Sequence, residues 1–124
     1  GLEAGIAGRQ GGLDAALNLG LVQATYESPA CIVAEGNSSA EASAACPGED
    51  EIAIRPGDRI PNIPRATLKL DLGWRVRPAL RLGANLVAQS GQFVRGNENN
   101  AHRADGAEFH GGGRVAGFAL LNLD

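Results

Sequence analysis

Side chains alternate across an extended chain, and the segment ATLKLDLGWRV, residues 66–76, keeps that alternation without a break. Leu68, Leu70, Leu72, Trp74 and Val76 fall on one side, and Thr67, Lys69, Asp71, Gly73 and Arg75 on the other. Such a segment is a strand with one apolar and one polar face. The apolar face must meet either a second layer of protein or lipid, and most of what the chain can fold into follows from that choice.

The same period recurs along the chain. Residues 2–9 (LEAGIAGR) form a short, weakly patterned strand, and the glycines of Arg9–Gln10–Gly11–Gly12 mark a tight turn. In the following segment Leu13, Ala15, Leu17, Leu19 and Leu21 share one face, with Asp14, Asn18 and Gly20 on the other. Leu13, Ala16, Leu17 and Gly20 also fit a helical stripe, but period two matches more positions and the turn before it favours a hairpin. Beyond Arg77-Pro78-Ala79, another tight turn, Leu80, Leu82, Ala84, Leu86 and Ala88 oppose Arg81, Gly83, Asn85 and Gln89. VAGFALLNLD supplies the last strand. Strands are therefore expected at about 2–9, 12–26, 65–76, 80–94 and 114–123. Pro61 and Pro64 lack ladder donors, so pairing before about residue 65 should be incomplete.

Short turns at 9–12 and 77–79 alternate with long connections at 27–58 and 96–113. In an up-and-down sheet this gathers the short turns at one end and the long loops at the other. Loops beyond about 12–15 residues are uncommon in compact domains unless functional. The asymmetry fits a transmembrane barrel with short periplasmic turns and long extracellular loops. Trp74, on the apolar face beside a short turn, sits where an interfacial aromatic girdle would place it. A soluble sandwich would show the same alternation, so the pattern leaves both open.

Composition narrows the field further. The chain of 124 residues is enough for one ordinary domain, yet it has 18 glycines, no methionine and 4% aromatic residues, so large core-filling side chains are scarce. A net charge of -3 gives little support to a general nucleic-acid role. The opening GLEAGIAGR has no basic and apolar leader pattern, and no stretch approaches the ~20 apolar residues of a membrane helix. The chain is expected to be a piece of a longer one. Cys31 and Cys46 flank a run of small and polar residues that a disulfide would restrain. Closing ~15 residues stabilises by roughly 3 kcal/mol in the chain-entropy model. A disulfide suits an oxidising compartment, whereas two ligands alone do not make a zinc site; two free thiols are the alternative.

GDRIPNIPRATLKLDLGW, SGQFVRGNENN and GFALLNL, with the opening Gly1–Glu3, resemble late barrel strands of TonB-dependent outer-membrane receptors. The resemblance spans nearly the whole chain, and the run at 57–70 is its most specific part; the cysteine loop is not characteristic. It implies an all-β fold of antiparallel up-and-down strands forming a sector of a plugged barrel of about 22 strands. It further implies a place in the cell outer membrane and import of a scarce nutrient such as a ferric siderophore or cobalamin. Partners would be outer-membrane lipid, an extracellular metal chelate and the TonB system, the last through parts of the receptor outside this chain, as is the plug. The alternative is a secreted soluble β-sandwich binding module stapled by one disulfide.

Candidate ligand contacts lie on the rim and in the second long loop: Arg95, Asn97, Glu98, Asn99 and Asn100. His102, Arg103, Asp105, Glu108 and His110 share that loop and offer imidazole and carboxylate groups suited to a metal chelate. Glycine-containing loop sequence separates the two histidines without fixing their spacing, which favours a plain solvated loop and assigns no metal site. Arg55, Arg59, Arg65 and Arg95 could attract an anionic ligand or pair with neighbouring carboxylates. Arg75 and Arg81 flank the short turn on the polar side, solvated or in contact with a plug. No nucleophile elbow, phosphate loop or HExxH helix occurs, so neither catalysis nor a cofactor is expected.

Overall fold

The computed structural model describes residues 1–40 and 44–124; residues 41–43, within the first expected long connection, lie outside the described residues. Among the described residues the chain is all-β and antiparallel, without a helix. In chain order the strands are β1 (Leu2–Gln10), β2 (Leu13–Leu21), β3 (Ala30–Val33), β4 (Glu51–Ile54) and β5 (Ala66–Arg77). Then follow β6 (Leu80–Gln89), β7 (Gln92–Phe93), β8 (Arg114–Val115) and β9 (Phe118–Leu123). They divide into a sheet unit (Gly1–Val22, Pro64–Gly91, Gly117–Asp124) and a loop unit (Gln23–Ile63, Gln92–Ala116).

The sheet unit is a meander in the order β1-β2-β5-β6-β9, each long strand hydrogen-bonded to the one before it. Its register joins residues of like character into rows. Ile6, Leu17, Leu70, Leu86 and Leu121 stand opposite one another across all five strands. Ala4, Leu19, Leu68, Ala88 and Ala119 form a neighbouring row, and Leu13, Trp74 and Leu82 a third near the short turns. The opposite face carries Asn18 beside Lys69, and Asp71 beside Asn85, whose Nδ2 donates to the Asp71 carboxylate at 2.5 Å. A slip of one residue would exchange the two faces, so five matched strands pin the register strongly.

Among the described residues, no strand of the sheet unit packs face to face on another of that unit; each touches only its hydrogen-bonded neighbours. The apolar rows are consequently open. Ile6 is 72% exposed, Trp74 50% and Leu121 63%, and among the described residues the apolar ones that are buried (Ala34, Cys46, Ile52 and Ile54) belong to the loop unit. The sheet does not close on itself, since β1 and β9 each have one partner. Within the sheet unit, among the described residues, the apolar side of Leu68, Leu70, Leu72 and Trp74 meets no second layer.

Local chemistry explains the turns. Gly11 and Gly12, with φ of 57° and 83°, close the two-residue hairpin between Gln10 and Leu13, where both central residues need positive φ. β5 begins at Ala66, directly after the prolines, as their missing donors imply. Near its end Arg75 pairs with Arg81 and Arg77 with Leu80, leaving Val76 as a bulge, so strict alternation stops one residue short of Val76.

Other boundaries differ from the sequence reading. The expected strand 12–26 leaves the sheet after Leu21, and residues 24–26 re-pair with 57–60 in the loop unit through the Thr25–Arg59 bridge. The expected strand 80–94 is interrupted at Ser90–Gly91, where the Ser90 hydroxyl replaces a ladder acceptor and takes the Ala66 N–H at 3.1 Å. The expected strand 114–123 breaks at Ala116–Gly117. On the polar face Val87, Leu120 and Phe118 interrupt the polar pattern.

Candidate functional site: two interlocked loops

The first long connection is not structureless. β3 and β4 form a hairpin in which Ile32 pairs with Ile52 and Cys31 with Ala53. Period two puts Ile52 and Ile54 on one face, and both are buried with Ala34 and Cys46. A disulfide joins Cys31 to Cys46, with Cα atoms 5.6 Å apart. The Glu51 carboxylate lies close to both sulfurs, but disulfide sulfurs are not thiolates and do not form a metal site with it. Glu51 instead accepts the Gly48 N–H at 3.0 Å. Upstream of β5, Arg55–Pro56–Gly57–Asp58 makes a turn with Pro second and Gly third, the Gly57 φ being 97°. Asp58 Oδ2 takes the Arg55 N–H at 2.7 Å.

The two connections each contain the same double turn, built on a Gly-Asn pair. Asn37 N–H bonds the Ala34 carbonyl at 3.0 Å and Asn97 N–H the Val94 carbonyl at 3.2 Å. In each case the next turn is closed three residues on, by Ala40 N–H and Asn100 N–H. Gly36 (φ 76°) and Gly96 (φ 92°) occupy the left-handed position that each first turn requires. The asparagines that follow are buried, Asn37 to 4% exposure and Asn97 to 1%.

Buried amides must be satisfied, and these are. Asn37 Nδ2 donates to the Gly96 carbonyl at 2.6 Å, and its Oδ1 accepts from Ser39 N–H at 2.9 Å. Asn97 Nδ2 donates to the Gly113 carbonyl at 3.0 Å, and its Oδ1 accepts from His102 N–H at 3.0 Å. Asn99 Nδ2 donates to Ser39 Oγ at 2.8 Å. Asn100 clasps the Arg59 backbone, accepting its N–H at 2.7 Å and donating to its carbonyl at 3.0 Å. Side-chain amides thus tie three separate segments of the loop unit together.

This places the five predicted contacts. Asn97 is enclosed, and Asn99 and Asn100 spend donors or acceptors on other loop segments, so these three hold the loops in shape. Glu98 Oε1 accepts the Gly96 N–H at 3.0 Å, while its Oε2 is enclosed without a hydrogen-bond partner among the described residues. Arg95 is exposed. Two arginines lie over the ring of Phe93, with guanidinium carbons 5.3 Å (Arg59) and 4.8 Å (Arg114) from its centroid. Sequence reading missed Asn37, Ser38, Ser39 and the ring of Phe93. The repeated Gly-Asn at 36–37 and 96–97 is the signal that could have found the first three.

Charge separates the units. The loop unit holds five arginines against ten Asp and Glu residues, a net of -5, whereas the sheet unit has six cations and four anions, a net of +2. A broad attraction of anionic ligands to the loop arginines is not what this balance provides. Burial, then the negative charge of Glu98, pushes the Tyr26 phenol above its ordinary value. The Asp105 carboxyl is held below its ordinary value mainly by the Phe109 N–H, then by those of Ala107 and Glu108, all three bonding Oδ1 within 3.0 Å.

The chain matches no protein-family model, no curated protein and no solved structure.

Proposed function

We propose that this chain is a sector of the wall of a transmembrane β-barrel, from a TonB-dependent outer-membrane receptor that imports a scarce nutrient such as a ferric siderophore or cobalamin. The observation that carries the reading is the open row Ile6–Leu17–Leu70–Leu86–Leu121 on a single-layered sheet. Leaving such a face in water forgoes about 25 cal/mol per Å² of apolar surface, which lipid would recover. Apart from Val87, Phe118 and Leu120, the opposite face is polar and rich in small residues, as a wet lumen requires. The unpaired edges of β1 and β9 would be satisfied by barrel strands outside this chain, since hydrocarbon tolerates no open edge. Short turns lie at one end of the sheet, and the Leu21–Ala66 and Gln89–Phe118 pairs mark the end from which both long connections leave.

On this reading the interlocked loops are extracellular, the disulfide reflects an oxidising compartment, and Arg95 remains an exposed candidate for ligand contact. The chain carries out no catalytic step. The test is spin labelling of the full-length protein in bilayers at Leu17, Leu70, Asn18 and Lys69. Oxygen, which concentrates in lipid, should relax the labels at 17 and 70, and a water-soluble nickel chelate those at 18 and 69. Equal access of the chelate to all four positions would overturn the assignment.

A further inference from the structure

We propose that His102 is a pH-sensitive latch between the two long loops, holding them together only while its imidazole is neutral. Its Nδ1 accepts the Ser38 backbone N–H at 3.0 Å, and its Nε2 lies 2.7 Å from the Gly111 carbonyl oxygen. A backbone N–H can only donate and a carbonyl can only accept. The two partners therefore dictate the tautomer: the single ring proton is on Nε2, and the Nδ1 lone pair is occupied by Ser38.

A second proton has one place to go, Nδ1. There it would confront the Ser38 N–H, donor against donor, while Nε2–H stays bonded to Gly111. The ring has little room to turn away. Phe109 meets it edge-on with centroids 5.7 Å apart, and a Cβ at Gly113 would stand 2.9 Å from His102 Cδ2. Protonation thus breaks the contact between loops instead of reorienting it.

Ser38 is the hinge of the effect because it serves both directions. Its N–H reaches His102, and its Oγ accepts the Arg103 N–H at 2.8 Å. Losing the first bond loosens the second. Across residues 34–40, which carry Ser38, and residues 94–114, which carry His102 with Asn97, Gly111 and Gly113 packed against it, the charged and titratable groups are Glu35 on the first and Arg95, Glu98, Arg103, Asp105, Glu108, His110 and Arg114 on the second, with Glu98 Oε1 taking the Gly96 N–H at 3.0 Å. The Asp105 carboxylate is already engaged by its own turn through the N–H groups of residues 107–109. The bonds from Asn37 to Gly96 and from Asn99 to Ser39 involve no titrating group, so the loops separate at residues 38 and 102–103 and stay joined beside them.

The latch does not depend on the membrane assignment. Amide hydrogen exchange on the full chain, corrected for intrinsic rates, reads it between pH 8 and pH 5. Protection of the Ser38 and Arg103 amides should fall at least tenfold, with that of Ile52 unchanged. H102N keeps an acceptor where Nδ1 stands but cannot titrate, so it should hold protection at both pH values; H102A should lack it at both. Wild-type protection that is equal at pH 5 and pH 8, or an H102N chain that loses protection as the wild type does, would overturn the proposal.

Discussion

Arg81 on β6 reaches across β5 to Asp14 on β2, its Nη2 standing 3.5 Å from Asp14 Oδ2, although the two residues are not on adjacent strands. Gly73 lies between them and makes the reach possible: a Cβ there would meet Arg81 Nη2 at 2.8 Å. Arg9 holds Asp14 from the other side. The result is a row of Arg, Asp, Gly and Arg lying flat on the polar face. Glycine elsewhere on this face has the same use, with the Thr67 hydroxyl 2.7 Å from the Cβ position of Gly20.

Filling that notch should uncouple the pair without unfolding the sheet. In G73A the flexible end of Arg81 is displaced, and a double-mutant cycle between R81A and D14N in that background should show no coupling. The same cycle with Gly73 present should show a measurable one. Because the pair is exposed, the coupling is small and salt-sensitive.

The hairpin at Gly11–Gly12 sets the β1–β2 register and should resist side chains unequally. Gly11 has open space around it, so G11A costs only the strain of a left-handed residue, roughly 1–2 kcal/mol, and G11N less, since asparagine suits this turn. G12A should cost more than G11A, because its Cβ would also press on the Arg75 carbonyl oxygen at 3.1 Å. Denaturant midpoints of the three variants give the order.

Asn97 and Arg95 are neighbours with opposite expected sensitivities. N97A strands the His102 N–H and the Gly113 carbonyl in an enclosed site and should cost about 2–4 kcal/mol. R95A, at an exposed position, should stay within about 0.5 kcal/mol. Unfolding of the two variants measures both, and a stable N97A chain would show that the amide is dispensable.

Tyr26 is the sole tyrosine, so alkaline difference absorbance reports it directly. Its folded midpoint should lie above the ordinary value of about 10 and move back toward it in E98Q. The folded state binds the phenolic proton more tightly than the unfolded chain. This contribution to stability is therefore intact below the unfolded value and lost as pH rises through the folded one. Asp105 has the opposite sign: its contribution is present above the ordinary carboxylate value and lost as pH falls through the folded one.

Local periodicity and turn chemistry carried much of this structure. The two faces of Leu13–Leu21 and Ala66–Arg75, the hairpin at Gly11–Gly12, the delay of β5 past Pro64 and the Cys31–Cys46 bond were all legible, because each depends on residues close in sequence. Tertiary pairing decided the rest. Whether Ser90 continues a strand depends on Ala66, far along the chain, and the hidden hairpin of β3 and β4 depends on what buries Ile52 and Ile54. The burial of Asn97 follows from carbonyls and amides that other segments present to it. Alternation is a property of one strand, but an amide is satisfied only by partners that folding brings to it.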